Sequence, residues 1–296
     1  MTSAKHLRAL LTKPEILVVP GGGSPLELRL ISQAGFSAAY LSGYATSATR
    51  FGVPDIGLMG FGEVESTVLA CTRVMDIPLI VDCDTGYGDV INVQATVRAM
   101  ERMGAAAVQL EDQAWPKRCG HMDNKVVEPR EVAIRKLKAA VAARTNPDMV
   151  IIARTDARGP LGLDEAISRC KAFHDNGADV VFVDGPESLD DMERIGRESP
   201  GFVMANMSET GKTPMLTTRE LEQLGFDLVI YPTSTLRVSI HAMSTFLNDL
   251  KASGHSNDWI SRMASLAQTN HILGMDEIRQ FEADVLAQSS RYIDKQ

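Results

Sequence analysis

The stretch PLIVDCDTGYGDVINVQATVRAMERMGAAAVQLED, residues 78–112, carries the pattern that decides the fold. An apolar, β-branched run stands at each end of it, and a segment with helical periodicity lies between them. In that segment Val93, Val97 and Met100 follow the i, i+4, i+7 spacing of a buried helix face, and Gly104 stands where a helix C-cap is expected. The stretch therefore predicts a strand–helix–strand unit with parallel strands.

The same unit recurs along the chain. Short apolar runs occupy residues 16–21, 38–43, 78–86, 105–112, 149–156, 178–185, 202–207 and 228–232. Continuous apolar runs of this kind are typical of strands buried on both faces. Their alternation with helical segments predicts an α/β fold, a (β/α)8 TIM-type barrel, over residues 1–250. A doubly wound open sheet is the alternative, but it seldom contains eight such units. We expect residues 251–296 to form a C-terminal helical extension.

Composition and charge exclude several classes of partner. The 296 residues carry a net charge of −8, so the chain lacks the basic surface that nucleic acids and anionic membranes require. No apolar run reaches transmembrane length, and the first thirteen residues lack the apolar core of a signal peptide. The four cysteines are scattered, without zinc-ligand spacing. We therefore expect a cytoplasmic protein without disulfides that acts on a small molecule.

Polar residues follow most of the predicted strands. They are Ser42, Gly43, Asp82, Asp84, Glu111, Asp112, Arg154, Thr155, Asp156, Asp184, Asn206 and Ser208. A single ionisable residue at a strand end is usually a helix cap or a loop salt bridge. Here six of the eight strands end in polar residues, and a TIM barrel has its active site at these ends. Because burying so many charges without partners is unfavourable, the pattern predicts a bound cation and an anionic substrate.

Asp82 and Asp84 are the candidate metal ligands. They are separated by one residue, so both side chains leave an extended strand on the same face. Glu111 ends the next predicted strand. An all-oxygen site of this kind suits Mg²⁺ or Mn²⁺ better than zinc.

Cys119 is the candidate reactive thiol. It lies in EDQAWPKRCGHMDNK, residues 111–125, beside Lys117, Arg118 and His121. Neighbouring cations lower the pKa of a thiol, whereas an isolated cysteine is more often a small buried apolar residue. A reactive cysteine could act as a nucleophile or as a proton donor. The sequence has no nucleophile-elbow motif, which favours proton transfer.

Several motifs together resemble those of the isocitrate lyase/phosphoenolpyruvate mutase superfamily. They are YLSG (40–43), VDCDTGYG (81–88), LEDQAWPKRCGHM (110–122), ARTDA (153–157) and NMSETGKTP (206–214). The resemblance covers residues 8 to 285. KRCGH at 117–121 matches the K-[KR]-C-G-H element that marks the carbon–carbon lyase branch.

The resemblance implies roles for individual residues. Asp82 and Asp84 would hold Mg²⁺, with Mn²⁺ as the other candidate, and Glu111 would support the site as one of the catalytic residues. Cys119 would be the general acid/base, and Lys117 and His121 would steer it. The implied substrate-binding residues are Tyr40, Ser42, Gly43, Tyr44, Asp55, Gly120, Arg154, Asp184, Asn206, Ser208 and Arg237. Asp184 stands where the family usually has Glu.

The resemblance also implies an activity and an assembly. We expect a Mg²⁺-dependent lyase that cleaves a 2-hydroxy dicarboxylate, such as 2,3-dimethylmalate, by retro-aldol chemistry to pyruvate and a carboxylic acid. The alternatives are cleavage of 2-methylisocitrate to succinate and pyruvate, and hydrolysis of oxaloacetate to oxalate and acetate. LAQTNHILGM (266–275) contains no Arg or Lys to hold a third carboxylate, which favours the dicarboxylate. Superfamily members form homotetramers that exchange C-terminal helices between subunits.

Overall fold

Eight parallel strands form a closed barrel in chain order, from β1 to β8 and back to β1. The computed structural model describes residues 2–119 and 125–293, with side chains as far as residue 288. The strands are β1 (Leu17–Gly22), β2 (Ala39–Leu41), β3 (Leu79–Asp82), β4 (Ala107–Glu111), β5 (Val150–Thr155), β6 (Val180–Val183), β7 (Phe202–Asn206) and β8 (Leu228–Tyr231). The predicted (β/α)8 barrel is therefore confirmed.

Helices follow the strands in the expected alternation. They are α1 (Ser3–Leu11), α2 (Pro25–Gln33), α3 (Gly43–Thr46), α4 (Phe61–Thr72), α5 (Val90–Arg102), α6 (Arg130–Ala143), α7 (Arg158–Leu161), α8 (Leu163–Asp175), α9 (Leu189–Glu198), α10 (Thr218–Leu224), α11 (Ser234–Ser253), α12 (Leu266–Ile272) and α13 (Met275–Ile293). A π-helical turn (Ser47–Phe51) continues α3, and a 3₁₀ helix (Asn257–Arg262) precedes α12.

The strands are apolar along their whole length because both of their faces are buried. Side chains such as Val19, Ile80 and Phe182 fill the barrel interior, where Leu7 of α1 also packs. Alternate strand residues face outward and pack in a second core with the surrounding helices. This double burial explains why the sequence shows continuous apolar runs and no alternation of polar and apolar residues.

The chain divides into two compact units, residues 1–238 and 239–296. In the second unit the rings of Phe246 and Trp259 meet edge to face, 5.5 Å between centroids. The indole Nε1 of Trp259 donates to Asp249 Oδ2 at 2.9 Å. Many large apolar side chains of this unit are nevertheless exposed, among them Met243, Leu247, Ile260, Leu266, Phe281 and Leu286. None of the described helices is both long and apolar enough to cross a membrane.

Candidate active site

A cavity of about 200 Å³ opens at the carboxyl ends of the barrel strands. Its lining contains most of the side chains that the sequence singles out: Tyr40, Ser42, Tyr44, Asp55, Asp82, Glu111, Lys117, Cys119, Arg154, Asp184, Asn206, Ser208 and Arg237. Gly43 and Asp84 adjoin it, since both contact Asp82 or Lys117. Gly120 and His121 lie outside the described residues. The structure thus brings the described candidates together, and their individual roles stay predictions.

The carboxylates of Asp82 and Asp84 converge on the backbone of Gly43. The N–H of Gly43 donates to Asp82 Oδ2 at 3.3 Å. A methyl group on Gly43 would lie 3.1 Å from Asp82 Oδ2 and 3.4 Å from Asp84 Oδ1, so both oxygens face the same small space. Asp84 adopts a left-handed backbone (φ 47°), which is unusual for a residue other than glycine and is concentrated at functional sites.

The ammonium group of Lys117 lies between two of the acidic side chains. Its Nζ is 2.5 Å from Asp55 Oδ1 and 2.7 Å from Asp84 Oδ1, and the lysine side chain is 3% exposed. Burial raises the pKa of Asp84 to about 7, although Lys117 opposes that shift. Burial would lower the pKa of Lys117, but Asp84 and Glu111 outweigh it and raise that pKa. The positive charge of Lys117 therefore lies next to Asp84, one of the two predicted metal ligands.

Arg154 is the centre of a second charged cluster. Its Nε and Nη2 donate to the two carboxylate oxygens of Asp156 at 2.9 Å, and Nη2 is 2.7 Å from Asp184 Oδ2. Its Nη1 is 3.4 Å from Glu111 Oε2, because the register of β4 and β5 pairs these two residues. Arg154 thus contacts three carboxylates, and its predicted role in binding a substrate carboxylate stays a prediction.

Negative charge exceeds positive charge among the buried groups of the site. The buried carboxylates are Asp55, Asp82, Asp84, Glu111, Asp156 and Asp184. Lys117, Arg154 and Lys125 provide positive charge in this layer, and the Lys125 ammonium lies 2.9 Å from Asp156. Glu111 Oε1 accepts no hydrogen bond from the described residues, although it is buried. An additional cation would relieve this imbalance.

The donor set suits a divalent cation that takes few protein ligands. Within residues 2–119 and 125–293, no group of three or more His, Cys, Asp or Glu side chains is arranged as a complete metal cage. Asp82 and Asp84 instead offer two convergent carboxylates. Mg²⁺ normally keeps several waters and binds one or two protein carboxylates, so the residues present fit Mg²⁺ or Mn²⁺.

Cys119 is the accessible thiol among the four cysteines. It is half-buried and lines the cavity, whereas Cys71, Cys83 and Cys170 are buried. Burial raises the pKa of Cys71 and of Cys170 to about 12, so neither forms a thiolate at neutral pH. Cys119 is therefore the cysteine that can exchange a proton with a bound molecule.

Side chains at the end of β2 line another wall of the cavity. Ser42 Oγ accepts from the N–H of Ala45 at 3.2 Å, which leaves the hydroxyl hydrogen to be donated elsewhere. Tyr44 is 38% exposed, so its ring can contact a bound molecule. Tyr40 is buried, and burial raises the pKa of its phenol. Tyr40 can therefore donate a hydrogen bond but does not ionise at neutral pH.

The rim of the cavity carries two arginines. Arg237 Nη1 donates to Thr210 Oγ1 at 2.7 Å and also to the carbonyl of Glu209. Arg118 lines the cavity, and its guanidinium forms no ion pair within residues 2–119 and 125–288. Asn206 Nδ2 donates to Asp184 Oδ1 at 3.0 Å. Within residues 2–119 and 125–288, neither rim guanidinium forms an ion pair with a carboxylate, so each can still pair with an anion.

Several residues of the site were not predicted from the sequence. Gln109 is fully buried in β4, and its Nε2 donates to Asp82 Oδ1 at 3.3 Å. The signal for it was a single polar residue inside an apolar strand. Lys125 pairs with Asp156, but nothing in the sequence links residues 31 positions apart. Pro232 and Thr233 line the cavity after β8, in a loop without a distinctive motif.

Comparison with known proteins agrees with the motifs. A family model described as phosphoenolpyruvate phosphomutase matches residues 7–251. The chain is 40% identical over 282 residues to 2,3-dimethylmalate lyase of Eubacterium barkeri, covering 95% of this chain and 98% of that protein. It is 40% identical over 286 residues to the probable 2-methylisocitrate lyase 2 of Corynebacterium glutamicum, covering 97% and 93%.

A solved structure matches the fold over nearly the whole chain. It is oxaloacetate acetylhydrolase in complex with the inhibitor 3,3-difluorooxalacetate, with a TM-score of 0.91 and 32% identity, covering 96% of this chain and 97% of that one. The family model, the relatives and the fold therefore confirm the family predicted from the motifs: the chain is an enzyme of the phosphoenolpyruvate mutase/isocitrate lyase superfamily.

Proposed function

We propose that the protein is a Mg²⁺-dependent carbon–carbon lyase that cleaves a 2-alkylmalate such as 2,3-dimethylmalate to pyruvate and a carboxylic acid. The observation that carries this proposal is the proximity of two functional groups in one cavity. A cluster of buried carboxylates with excess negative charge faces the same space as the accessible thiol of Cys119. The similarity to 2,3-dimethylmalate lyase supports the same substrate class.

Asp82 and Asp84 would hold the divalent ion. A divalent ion held there would lower the pKa of the substrate's 2-hydroxyl group. Glu111 is the proposed acceptor of the hydroxyl proton, because its Oε1 lacks a hydrogen-bond donor among the described residues and burial raises its pKa. The site residues thus favour the loss of a proton from an alcohol that is not acidic in water.

Cys119 would complete the reaction. As the 2-hydroxyl becomes a carbonyl, the C2–C3 bond breaks and its electron pair stays on C3. The thiol of Cys119 donates its proton to C3 and becomes a thiolate. After the products leave, the proton held by Glu111 passes through solvent to that thiolate, which restores both groups to their starting protonation states. Lys117 keeps Asp55 and Asp84 in place during the reaction, since it contacts both carboxylates.

The cavity lining supports an alkylated dicarboxylate. Arg118 and Arg237 offer two cationic groups for two carboxylates. Ile230, Pro232 and the ring of Tyr44 provide apolar surface for methyl substituents. The proposal of a dicarboxylate also rests on residues 266–275, which contain neither Arg nor Lys.

A hydrolase that converts oxaloacetate to oxalate and acetate is the second candidate, since the fold also matches oxaloacetate acetylhydrolase. Hydrolysis needs a water that attacks C2, and the departing carbon must also gain a proton to become the methyl group of acetate. A proton donor such as Cys119 would therefore serve both reactions, and the products separate the two candidates. The lyase would form pyruvate and a carboxylic acid from a 2-alkylmalate, whereas the hydrolase would form oxalate and acetate from oxaloacetate.

We further propose that the protein is a cytoplasmic homotetramer. Residues 239–288 expose many large apolar side chains, and monomers rarely expose so much apolar surface in one segment. This exposure supports the proposal that another subunit covers these side chains. Exchange of C-terminal helices, as the family resemblance implies, would cover them. Light scattering on the purified protein measures the assembly: a mass near four times 32.2 kDa is expected, and a monomer contradicts the proposal.

The substrate proposal is tested with a panel of acids. Purified protein with Mg²⁺ is given 2,3-dimethylmalate, 2-methylisocitrate and oxaloacetate in parallel, and pyruvate, succinate and oxalate are quantified. We expect kcat/KM to be highest for 2,3-dimethylmalate, with pyruvate formed in equal amount to the second acid. Faster cleavage of 2-methylisocitrate, or oxalate as the main product, would overturn the assignment.

A further inference from the structure

The segment that carries Cys119 is flanked by two short stretches that pair with each other. We call these stretches, residues 112–114 and 126–128, the stem. The N–H of Ala114 donates to the carbonyl of Val126 at 2.8 Å, and the N–H of Glu128 donates to the carbonyl of Asp112 at 2.8 Å. Between these bonds Gln113 and Val127 pair as in an antiparallel ladder. The two sides of the stem are therefore fixed to each other.

A buried arginine fixes the stem to the barrel. Arg169 of α8 donates from Nη1 to Asp112 Oδ2 and to the carbonyl of Glu128, both at 2.9 Å. Asp112 Oδ2 also accepts from Thr155 Oγ1 at 2.6 Å. The guanidinium thus contacts both sides of the stem, and the stem is anchored to β5 and α8.

The side chain of Gln113 extends this anchored stem to the residue before Cys119. Its Oε1 accepts from the N–H of Arg118 at 2.9 Å, and its Nε2 donates to the carbonyl of Arg118 at 2.8 Å. Gln113 is 1% exposed, so its amide has few competing waters. The planar amide of Gln presents a donor and an acceptor side by side, and Asn, which has the same amide, is one methylene shorter.

We propose that Gln113 is a positioning residue for Cys119. The carbonyl of Arg118 belongs to the peptide plane that also contains the nitrogen of Cys119. Fixing the N–H and the carbonyl of Arg118 therefore sets where the Cys119 thiol stands, and it sets the rim position of Arg118 as well. The catalytic consequence rests on the proposed role of Cys119 as proton donor, whereas the positional consequence does not.

The test uses the full chain and the four cysteines as internal reporters. Metal-free protein is treated with iodoacetamide, and alkylation of each cysteine is followed by peptide mass spectrometry, alongside kcat for 2,3-dimethylmalate with Mg²⁺. For Gln113→Leu we expect Cys119 to be alkylated at least about fivefold faster, because local opening exposes it. We expect kcat to fall roughly 30- to 100-fold, as for a catalytic group displaced by about 1 Å.

Two further variants serve as controls. They distinguish a local effect at Cys119 from unfolding or general loosening of the protein. Gln113→Glu keeps the acceptor for the Arg118 N–H but loses the donor to its carbonyl, so both effects should be intermediate. Glu101→Leu removes a similar side-chain clamp on a loop backbone at the opposite end of the barrel, where Glu101 Oε2 accepts from the N–H of Thr145 at 2.9 Å. It should leave kcat and Cys119 alkylation within about twofold of the unmodified protein.

The proposal is overturned if Gln113→Leu leaves kcat and Cys119 alkylation within about twofold of the unmodified protein. It is also overturned if Cys71, Cys83 and Cys170 become alkylated together with Cys119, since that shows general loosening. Cys119→Ser is measured in the same series. Undiminished turnover in that variant would contradict the proposed lyase mechanism, while the alkylation result would still decide the positioning role of Gln113.

Discussion

Lys117 Nζ lies 2.7 Å from Asp84 Oδ1 and 2.5 Å from Asp55 Oδ1, so one ammonium group joins a predicted metal ligand to the neighbouring loop. The lysine enters from the segment that also carries Cys119. The thiol and the acidic cluster are thereby held in one layer of the site. A change at Lys117 should therefore affect both the stability of the fold and turnover.

Lys117→Met should lower the free energy of unfolding of the metal-free protein. It leaves two buried carboxylates without their cation, and removing one partner of a buried ion pair typically destabilises by about 3–5 kcal/mol. Urea denaturation measures the change. Lys138→Met, which removes an exposed lysine, is the control and should stay within about 0.5 kcal/mol. Equal stability of the two variants would show that the Lys117 contacts contribute nothing.

Gly43→Ala should weaken the binding of Mn²⁺. The added methyl group would lie 3.1 Å from Asp82 Oδ2 and 3.4 Å from Asp84 Oδ1, where it displaces the carboxylates from their convergence. We expect the Kd for Mn²⁺, measured by calorimetry, to rise roughly tenfold, which corresponds to about 1.4 kcal/mol. Gly62→Ala is the matched control, because a methyl group there meets no atom within 4 Å. An unchanged Kd in Gly43→Ala would place the metal elsewhere.

Arg169→Met should destabilise the protein, because it removes the contact between Arg169 and Asp112 of the stem. Arg169 is the cation that contacts Asp112, and both side chains are buried. We expect a loss of about 3–5 kcal/mol in the free energy of unfolding, since Asp112 keeps a buried charge without its cation. The double variant Asp112→Asn with Arg169→Met should recover part of the loss. Simple additivity of the two single changes would argue against a direct interaction.

The barrel and the acidic residues of the site were predictable from local sequence patterns. Strands buried on both faces give apolar runs that stand out from the helices between them. Asp82, Asp84 and Glu111 could be assigned to one rim because all parallel strands of a barrel end on the same side. These inferences need only the direction and order of the strands, which the alternating pattern supplies.

The pairings within the site could not be predicted, because they depend on strand register and on loop conformation. The substrate-binding role of Arg154 stays a prediction, but its contacts with Glu111, Asp156 and Asp184 had no signal in the sequence. The first of these contacts follows from the register of β4 and β5. Gln113 showed no signal, since its amide acts on a backbone five residues away. Distances of this kind come from tertiary structure alone.

The central claim is tested most directly by adding Mg²⁺ back to metal-stripped protein and measuring pyruvate formed from 2,3-dimethylmalate. Protein treated with EDTA should form no pyruvate. Added Mg²⁺ should restore it to a saturating rate, with one propionate formed per pyruvate, and Asp84→Asn should stay inactive at the same Mg²⁺ concentrations. Full turnover in EDTA, or an Asp84→Asn variant as active as the unmodified protein, would contradict the account.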